Sequence, residues 1–353
     1  MRQINVSLPE RAYDIFIAPG LLHQSGGQLR KVLPNARRVM IVTDSNVGPL
    51  YAKTVEDSLT GAGYQVRTVT IPAGERSKNA DTLHDLWNEA MDFGLTRTDA
   101  IAALGGGVVG DVAGFAAATT LRGIPYVQLP TTLLAQVDSS VGGKVAIDLD
   151  AGKNLAGAFW QPKVVLIDSD TLKTLPDRVF DDGMAEVIKY GCIRSEGFFH
   201  FLAACGDRKS IMEHIGHVLH TCCAIKTEIV EQDERDTGER MLLNFGHTLG
   251  HAYEAAYQYR TYTHGQAVGA GMVLAARLGE QLGHTAPGTA AQVEELVREF
   301  RLPTQIPCAR EDYEKAIGLD KKGSGTRINL ILLSRIGEAR IVPMDKGELL
   351  ELL

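Results

Sequence analysis

AIAALGGGVVGD, residues 100–111, decides the fold. Its first five residues are apolar without polar alternation, the mark of a strand buried on both faces, as in a parallel sheet. They pass directly into a glycine-rich turn and then a helical stretch. The turn contains G-x-G-x-x-G between strand and helix, a pattern that brings backbone N–H groups and a helix N-terminus to a pyrophosphate. A glycine run after a strand also makes an ordinary tight turn, and residues 125–130, about where an acid would hold a ribose, carry none. Asp44, at the end of an earlier strand, is the candidate for that role, because parallel strands place both groups on one sheet edge.

Outward from this stretch, residues 4–17 alternate around Pro9, Glu10 and Arg11 and predict a hairpin. Residues 39–42 read as a buried strand, followed by a helix-like stretch to Gly61 and Gly63 and a second strand within residues 64–74. Helical spacing over residues 79–93 sets Leu83, Leu86, Trp87 and Ala90 on one side, and residues 124–129 and 164–167 are further strands. Strand and helix alternate, so the first half is α/β with a mostly parallel, nucleotide-binding sheet. From about Leu175 the pattern is helical almost throughout, broken at Gly206, Gly238, Pro287 and Pro303. The expected domains are 1–175 and a mainly α-helical 176–353.

With 353 residues and 44% hydrophobic content, the chain is globular and too long for one ordinary core. A net charge of −7 argues against a general nucleic-acid or anionic-membrane binder, so an anionic substrate needs a local cluster of cations. The N-terminus lacks signal-peptide features and no segment reads as a membrane span, which sets a soluble cytoplasmic protein as the expectation. Five cysteines without C-x-x-C spacing, Cys222 and Cys223 being adjacent, suit a reducing compartment.

Several groups could carry chemistry. Read as one helix, RMLLNFGHTLGHAYEAAYQYRTYTH (residues 240–264) places Arg240, Asn244, His247 and His251 within an arc of about 60°. Met241, Leu242, Phe245, Leu249 and Ala256 fall on the far side. Gly246 and Gly250 suggest close approach of another backbone. Residues 130–157 read as a long loop in which Lys144 and Lys153 each follow a glycine and can reach into a cleft. Glu186 and Lys189 stand three apart on one helical face, either a surface ion pair or a pair turned into a cleft. With His247 and His264, Glu186 would complete a three-ligand set of catalytic-zinc type, although spacing alone does not bring it to the histidines. His214, His217 and His220 spread over about 120° of a helix and read as a solvated face. Lys226, further along that stretch, is unremarkable in isolation.

Together, PAGERSK, GGGVVGDVAGFAAAT, RGIPYVQLPTTLLAQVDSSVGGK, GKNLAGAF, AEVIKYG, LNFGHTLGHA, HGQAVGAGM and LDKK resemble, in order and spacing, the 3-dehydroquinate synthase family of sugar-phosphate cyclases. The resemblance covers nearly the whole chain. It implies an N-terminal NAD-binding domain, a helical C-terminal domain, a catalytic cleft between them, and usually a homodimer. It further implies Glu186, His247 and His264 as ligands of Zn2+, with Co2+ as an alternative. The NAD+ site it implies comprises Asp44, Glu75, Lys78, the loop Gly105, Gly106, Gly107, Val108, Val109, Gly110 and Asp111, then Thr131, Thr132, Lys144, Lys153, Thr171, Leu172, Lys173 and Thr174. Arg122, Asp138, Lys144, Lys153, Asn154, Lys189, Lys226, Arg240, Asn244, His251 and one of Lys321 or Lys322 match the substrate pocket. Val145 and Asp148 stand where many members carry Thr and Asn.

The implied activity is conversion of 3-deoxy-D-arabino-heptulosonate 7-phosphate to 3-dehydroquinate and phosphate, a shikimate-pathway lyase reaction leading to chorismate and the aromatic amino acids. Its sequence is transient oxidation by NAD+, phosphate elimination, reduction, ring opening and intramolecular aldol closure, with Lys144, His251, Asp138 and Glu186 in catalytic roles. A substrate bearing a carboxylate and a phosphate suits the cations at Arg122, Lys144, Lys153, Lys189, Lys226 and Arg240. The alternatives are a cyclase for another sugar phosphate, a metal-dependent polyol or glycerol-phosphate dehydrogenase, and a catalytically silent NAD-binding protein.

Overall fold

A computed structural model of the chain describes residues 1–319 and 325–353. It divides into two compact units, Met1–Leu175 with Lys226–Glu231, and Pro176–Ile225 with Gln232–Leu353. The chain first leaves the first unit after Leu175, and residues 226–231 group with that unit.

In the first unit, β1 (Arg2–Val6) and β2 (Tyr13–Ala18) form the antiparallel hairpin. Then follow α1 (Ser25–Val32), β3 (Arg38–Asp44), α2 (Gly48–Gly61), β4 (Gln65–Ile71), α3 (Ala80–Asp92), β5 (Ala100–Gly105), α4 (Gly107–Thr119), β6 (Tyr126–Pro130), β7 (Lys144–Leu149), β8 (Gly152–Phe159) and β9 (Val164–Asp168). The main sheet runs β1-β2-β9-β6-β5-β3-β4, and every pairing in it except β1–β2 is parallel. Alternation along the buried strands feeds two cores. Val39, Ile41, Ala100 and Ala102 face the α1 and α2 side, and Met40, Val42, Ile101 and Ala103 face α3 and α4. After β4 the chain returns to the other side of β3, so the strand order reverses between β3 and β5. Their C-terminal ends, paired at Thr43 and Leu104, form the topological switch where ligands bind in such sheets.

Residues 130–157 are not the loop expected from their Gly and Ser content. A π-helical turn at Ala135–Ser139 precedes a β7–β8 hairpin that turns Val145 and Ile147 into the core. Gly157 belongs to that pairing, since a Cβ there would lie 2.3 Å from Val145 O.

The second unit is built on α5 (Asp177–Arg194), α6 (Glu196–Cys205), α7 (Arg208–Glu213), the first part of α8 (Ile215–Gln232), α9 (His247–Ala256), α10 (His264–Gln281), α11 (Thr289–Glu299) and α12 (Arg310–Leu319). An antiparallel hairpin, β10 (Arg327–Arg335) and β11 (Glu338–Asp345), then leads to α13 (Lys346–Leu352). The hairpin is an exception within this mainly helical unit that the sequence reading did not single out, because a short apolar run such as INLILL has no period that separates a buried strand from a helix.

Residues 240–264 are likewise not one helix. A 3-10 turn at Glu239–Asn244 gives way at Gly246, φ 78°, and α9 starts only at His247. Arg240 and Asn244 thus leave the arc shared by His247 and His251. The glycines do mark close approach: a Cβ on Gly271 of α10 would sit 2.1 Å from Gly246 O, and one on Gly250 3.1 Å from Ala267 O. No described helix is long and apolar enough to cross a membrane.

Candidate active site

Helix α5 is buried over most of its length, and Glu186 and Lys189 are among its fully buried residues. Two charges there are costly unless they face other charges. One turn before Glu186, Asp182 Oδ1 accepts the Gly265 N–H at 2.7 Å. This bond fixes the start of α10 against α5, and a capping box of Thr263 and Gln266 sets the entering chain. His264, the first residue of α10, consequently presents Nε2 to Glu186 Oε1 at 3.3 Å. The close α9–α10 crossing brings His247 Nε2 to the same oxygen at 3.4 Å. Lys189 Nζ contacts Oε2 of the same carboxylate.

Neither oxygen of this buried carboxylate receives a well-directed hydrogen bond from the described residues. Burial alone would raise the Glu186 pKa, but Lys189 and the two imidazoles hold it well below the usual carboxylate range. His264 shows the converse balance: burial lowers its pKa, and the close carboxylates of Glu186 and Glu254 outweigh this, pushing it up to about 10. One ligand atom from each of Glu186, His247 and His264 lies within 4.8 Å of the others, and among the described residues this is the group of His, Cys, Asp and Glu close enough to hold a metal ion. An ionised carboxylate short of donors, beside two imidazole nitrogens, fits a divalent cation. The ion pair on α5 is therefore no surface feature. His214, His217 and His220 form no such group, and the first two pack edge-on against Phe201.

In the first unit, Asp44 ends β3 with Oδ1 accepting the N–H groups of Asn46 and Val47 at 2.8 and 3.0 Å. Across the switch point, α4 begins at Gly107 with no side-chain cap, leaving its N-terminal amides for an anion. Gly106 and Gly107 could carry a Cβ only at 3.1 Å from Thr132 Cγ2 and 3.2 Å from Ser139 Oγ. Thr131 beside them is buried, its Oγ1 without a hydrogen-bond partner among the described residues. Lys78 pairs with Asp111 at 2.6 Å and donates to Asn154 Oδ1. Asn154, at φ 56°, is held by Asp148 accepting its N–H at 2.8 Å. Lys153 reaches Glu75 at 3.7 Å. An uncapped helix start, tight glycines and an orphaned hydroxyl suit a dinucleotide.

Family models described as 3-dehydroquinate synthase N-terminal and C-terminal match residues 68–182 and 183–323. The 3-dehydroquinate synthase of Clostridium botulinum is 48% identical over 340 residues, covering 96% of this chain and 97% of the relative. The chain belongs to the 3-dehydroquinate synthase family. Solved structures show the same architecture. A 2-deoxy-scyllo-inosose synthase complexed with carbaglucose-6-phosphate, NAD+ and Co2+ has a TM-score of 0.89 at 24% identity over 99% of both chains. The 2-epi-5-epi-valiolone synthase of Streptomyces hygroscopicus with NAD+ and Zn2+ has a TM-score of 0.87 at 26% identity, over 98% of this chain and 97% of that one.

The other expected site residues of this family member fall in several settings. Lys226, far from unremarkable, is buried and meets Asp138 through both its carboxylate (2.9 Å) and its carbonyl (2.5 Å). Arg240 is buried and donates to Glu234 O at 2.6 Å. Lys144 and His251 are exposed, and Asn244 is half-buried. Arg122 is exposed and follows Leu121 in a left-handed pair, φ 68° and 50°. Thr171 and Leu172 are buried, whereas Thr174 bonds Tyr51 and Lys173 turns outward to Asp170 at 2.6 Å. Lys321 and Lys322 lie outside the described residues. The sequence reading missed Asp182 and Glu254. Glu254 follows His247 by seven residues, a spacing that would have placed it on the same helix face.

Proposed function

We propose that this chain converts 3-deoxy-D-arabino-heptulosonate 7-phosphate to 3-dehydroquinate and phosphate in the shikimate pathway, as an NAD+- and divalent-metal-dependent lyase. The observation that carries the reading is the set of buried Glu186 with half-buried His247 and His264 in a chain 48% identical to a named synthase over 96% of its length. The neighbouring cyclase solved with NAD+ and Zn2+ supports the cofactor pair.

A divalent ion held by these three residues supplies Lewis acidity that makes substrate hydroxyls easier to deprotonate, and NAD+ in the first unit supplies a hydride acceptor that is regenerated in each turnover. Glu186 stays ionised because Lys189 and the imidazoles face it. Asp44, Glu75, Lys78, residues 105–111, Thr131, Thr132, Lys144, Lys153 and residues 171–174 form the proposed dinucleotide set. Arg122, Lys144, Lys153, Asn154, Lys189, Lys226, Arg240, Asn244 and His251 are assigned to the substrate's anionic and hydroxyl groups. Buried cations at Lys189, Lys226 and Arg240 support this in an acidic protein, because binding an anion against a net charge of −7 needs fixed local positive charge. Lys144 and His251 move protons, with Asp138 holding Lys226 in place. A homodimer is the assembly the family reading suggests, checked by light scattering on the purified chain.

The test is to supply the heptulosonate phosphate, NAD+ and Zn2+ and follow phosphate, NADH absorbance and product identity. Phosphate release that EDTA abolishes, without accumulating NADH, is expected. Stoichiometric NADH would replace the reading with a dehydrogenase. Glu186→Gln should lower bound zinc more than tenfold by elemental analysis, and unchanged zinc would remove Glu186 from the site.

A further inference from the structure

Both imidazoles of the metal set turn Nε2 toward Glu186, so each must keep that nitrogen unprotonated to ligate and carry its proton on Nδ1. For His247 the backbone provides for this: Phe245 O lies 3.2 Å from Nδ1. For His264 the group facing Nδ1 is a carboxylate, Glu254 Oε2, at 3.7 Å. Glu254 sits on α9 with a side chain only 4% exposed, a costly place for a carboxylate without a positional task. The same oxygen lies 3.9 Å from His251 Nε2. One carboxylate thus faces a metal ligand and the histidine assigned to proton transfer.

We infer that Glu254 is a positioning residue of the metal centre: it holds His264 in the Nδ1–H tautomer and the ring orientation that directs Nε2 to the ion, and it ties His251 to that orientation. The inference rests on the metal-site reading above. Its chemistry is that of carboxylates behind metal-ligating imidazoles, whose loss weakens metal binding about 10–100-fold. Gln at this position keeps the volume and can accept one hydrogen bond. However, it lacks the charge and can also turn its amide N–H groups toward the ring, so it should act in the same direction with smaller size.

The experiment uses the full chain, freed of metal and titrated with Zn2+ against a chromogenic chelator, with Co2+ absorption as a second readout. Glu254→Gln should weaken Zn2+ binding about tenfold and Glu254→Ala about 100-fold, both shifting the visible Co2+ band. In a His264→Ala background neither substitution should weaken binding further, a non-additivity that a general packing role would not produce. Zn2+ affinities within about twofold of the parent, or equal losses in both backgrounds, overturn the inference. If Glu254→Ala does not fold, the isosteric Glu254→Gln decides on the same criteria. A parent chain that binds no Zn2+ overturns the metal-site reading together with this one, whereas a parent that binds Zn2+ and indifferent Glu254 variants overturns this one alone.

Discussion

Asp111, just past the first turn of α4, carries a pH dependence whose sign follows from its surroundings. Burial raises its pKa, Lys78 opposes, Glu75 and Asp148 add to the rise, and the carboxyl is pushed up to about 6. A carboxyl with a raised folded-state pKa contributes stability that is complete below its unfolded value, near 4, and is lost as pH climbs through about 6. The stability of the parent minus that of Asp111→Asn should therefore fall by roughly 2–3 kcal/mol from pH 4 to pH 7 and level off above. Urea unfolding across that range measures it. A difference that grows with pH would mean that Lys78 dominates and holds Asp111 below the ordinary range. The pairing also explains why the sequence could offer Asp111 only as the end of a glycine motif: its partner lies 33 positions earlier, at Lys78, which closes the 3-10 turn ahead of α3.

The element that brings the proposed metal ligands His247 and His264 together is the α9–α10 crossing, and its glycines make it testable. A Cβ on Gly271 would lie 2.1 Å from Gly246 O and 2.9 Å from Gly250 N, backbone atoms that cannot move aside singly. Gly271→Ala must separate the helices that carry His247 and His264. The expected result is a loss of about 1–3 kcal/mol or more in stability together with weaker Zn2+ binding. Gly27→Ala in α1 meets nothing within 4 Å and should be neutral or stabilise by about 0.4–1 kcal/mol, with Zn2+ binding unchanged. Thermal unfolding and zinc titration of both variants check the contrast. This crossing also marks what was legible in the sequence. Gly246 and Gly250 announced a close approach, and the buried runs at β3 and β5 announced a parallel sheet, because both are local patterns. The 3-10 turn before Gly246 and the β10–β11 hairpin were not legible, since a helical wheel presumes its own regularity and an apolar run carries no period. Neither was the meeting of Glu186 with the histidines, which depends on the Asp182–Gly265 bond across 83 positions.

At the scale of the molecule, the two cofactor sets divide between the two units. The proposed dinucleotide residues, from Asp44 to Thr174, all belong to Met1–Leu175, and the proposed metal ligands to the unit that begins at Pro176. An acidic chain of net charge −7 concentrates buried cations in each, with Lys78 and Lys226 in the first and Lys189 and Arg240 in the second. Each cofactor should then stabilise its own unit by mass action. A ligand at 100 times its Kd contributes about 2.7 kcal/mol, which slows exchange roughly 100-fold for amides that open with that unit. Hydrogen exchange on the metal-free, NAD-free chain gives the baseline. Addition of NAD+ alone should protect the Asp44 turn and the start of α4, and Zn2+ alone the starts of α9 and α10. Protection of α9 and α10 by NAD+ without metal would show that the dinucleotide set has been assigned to the wrong unit.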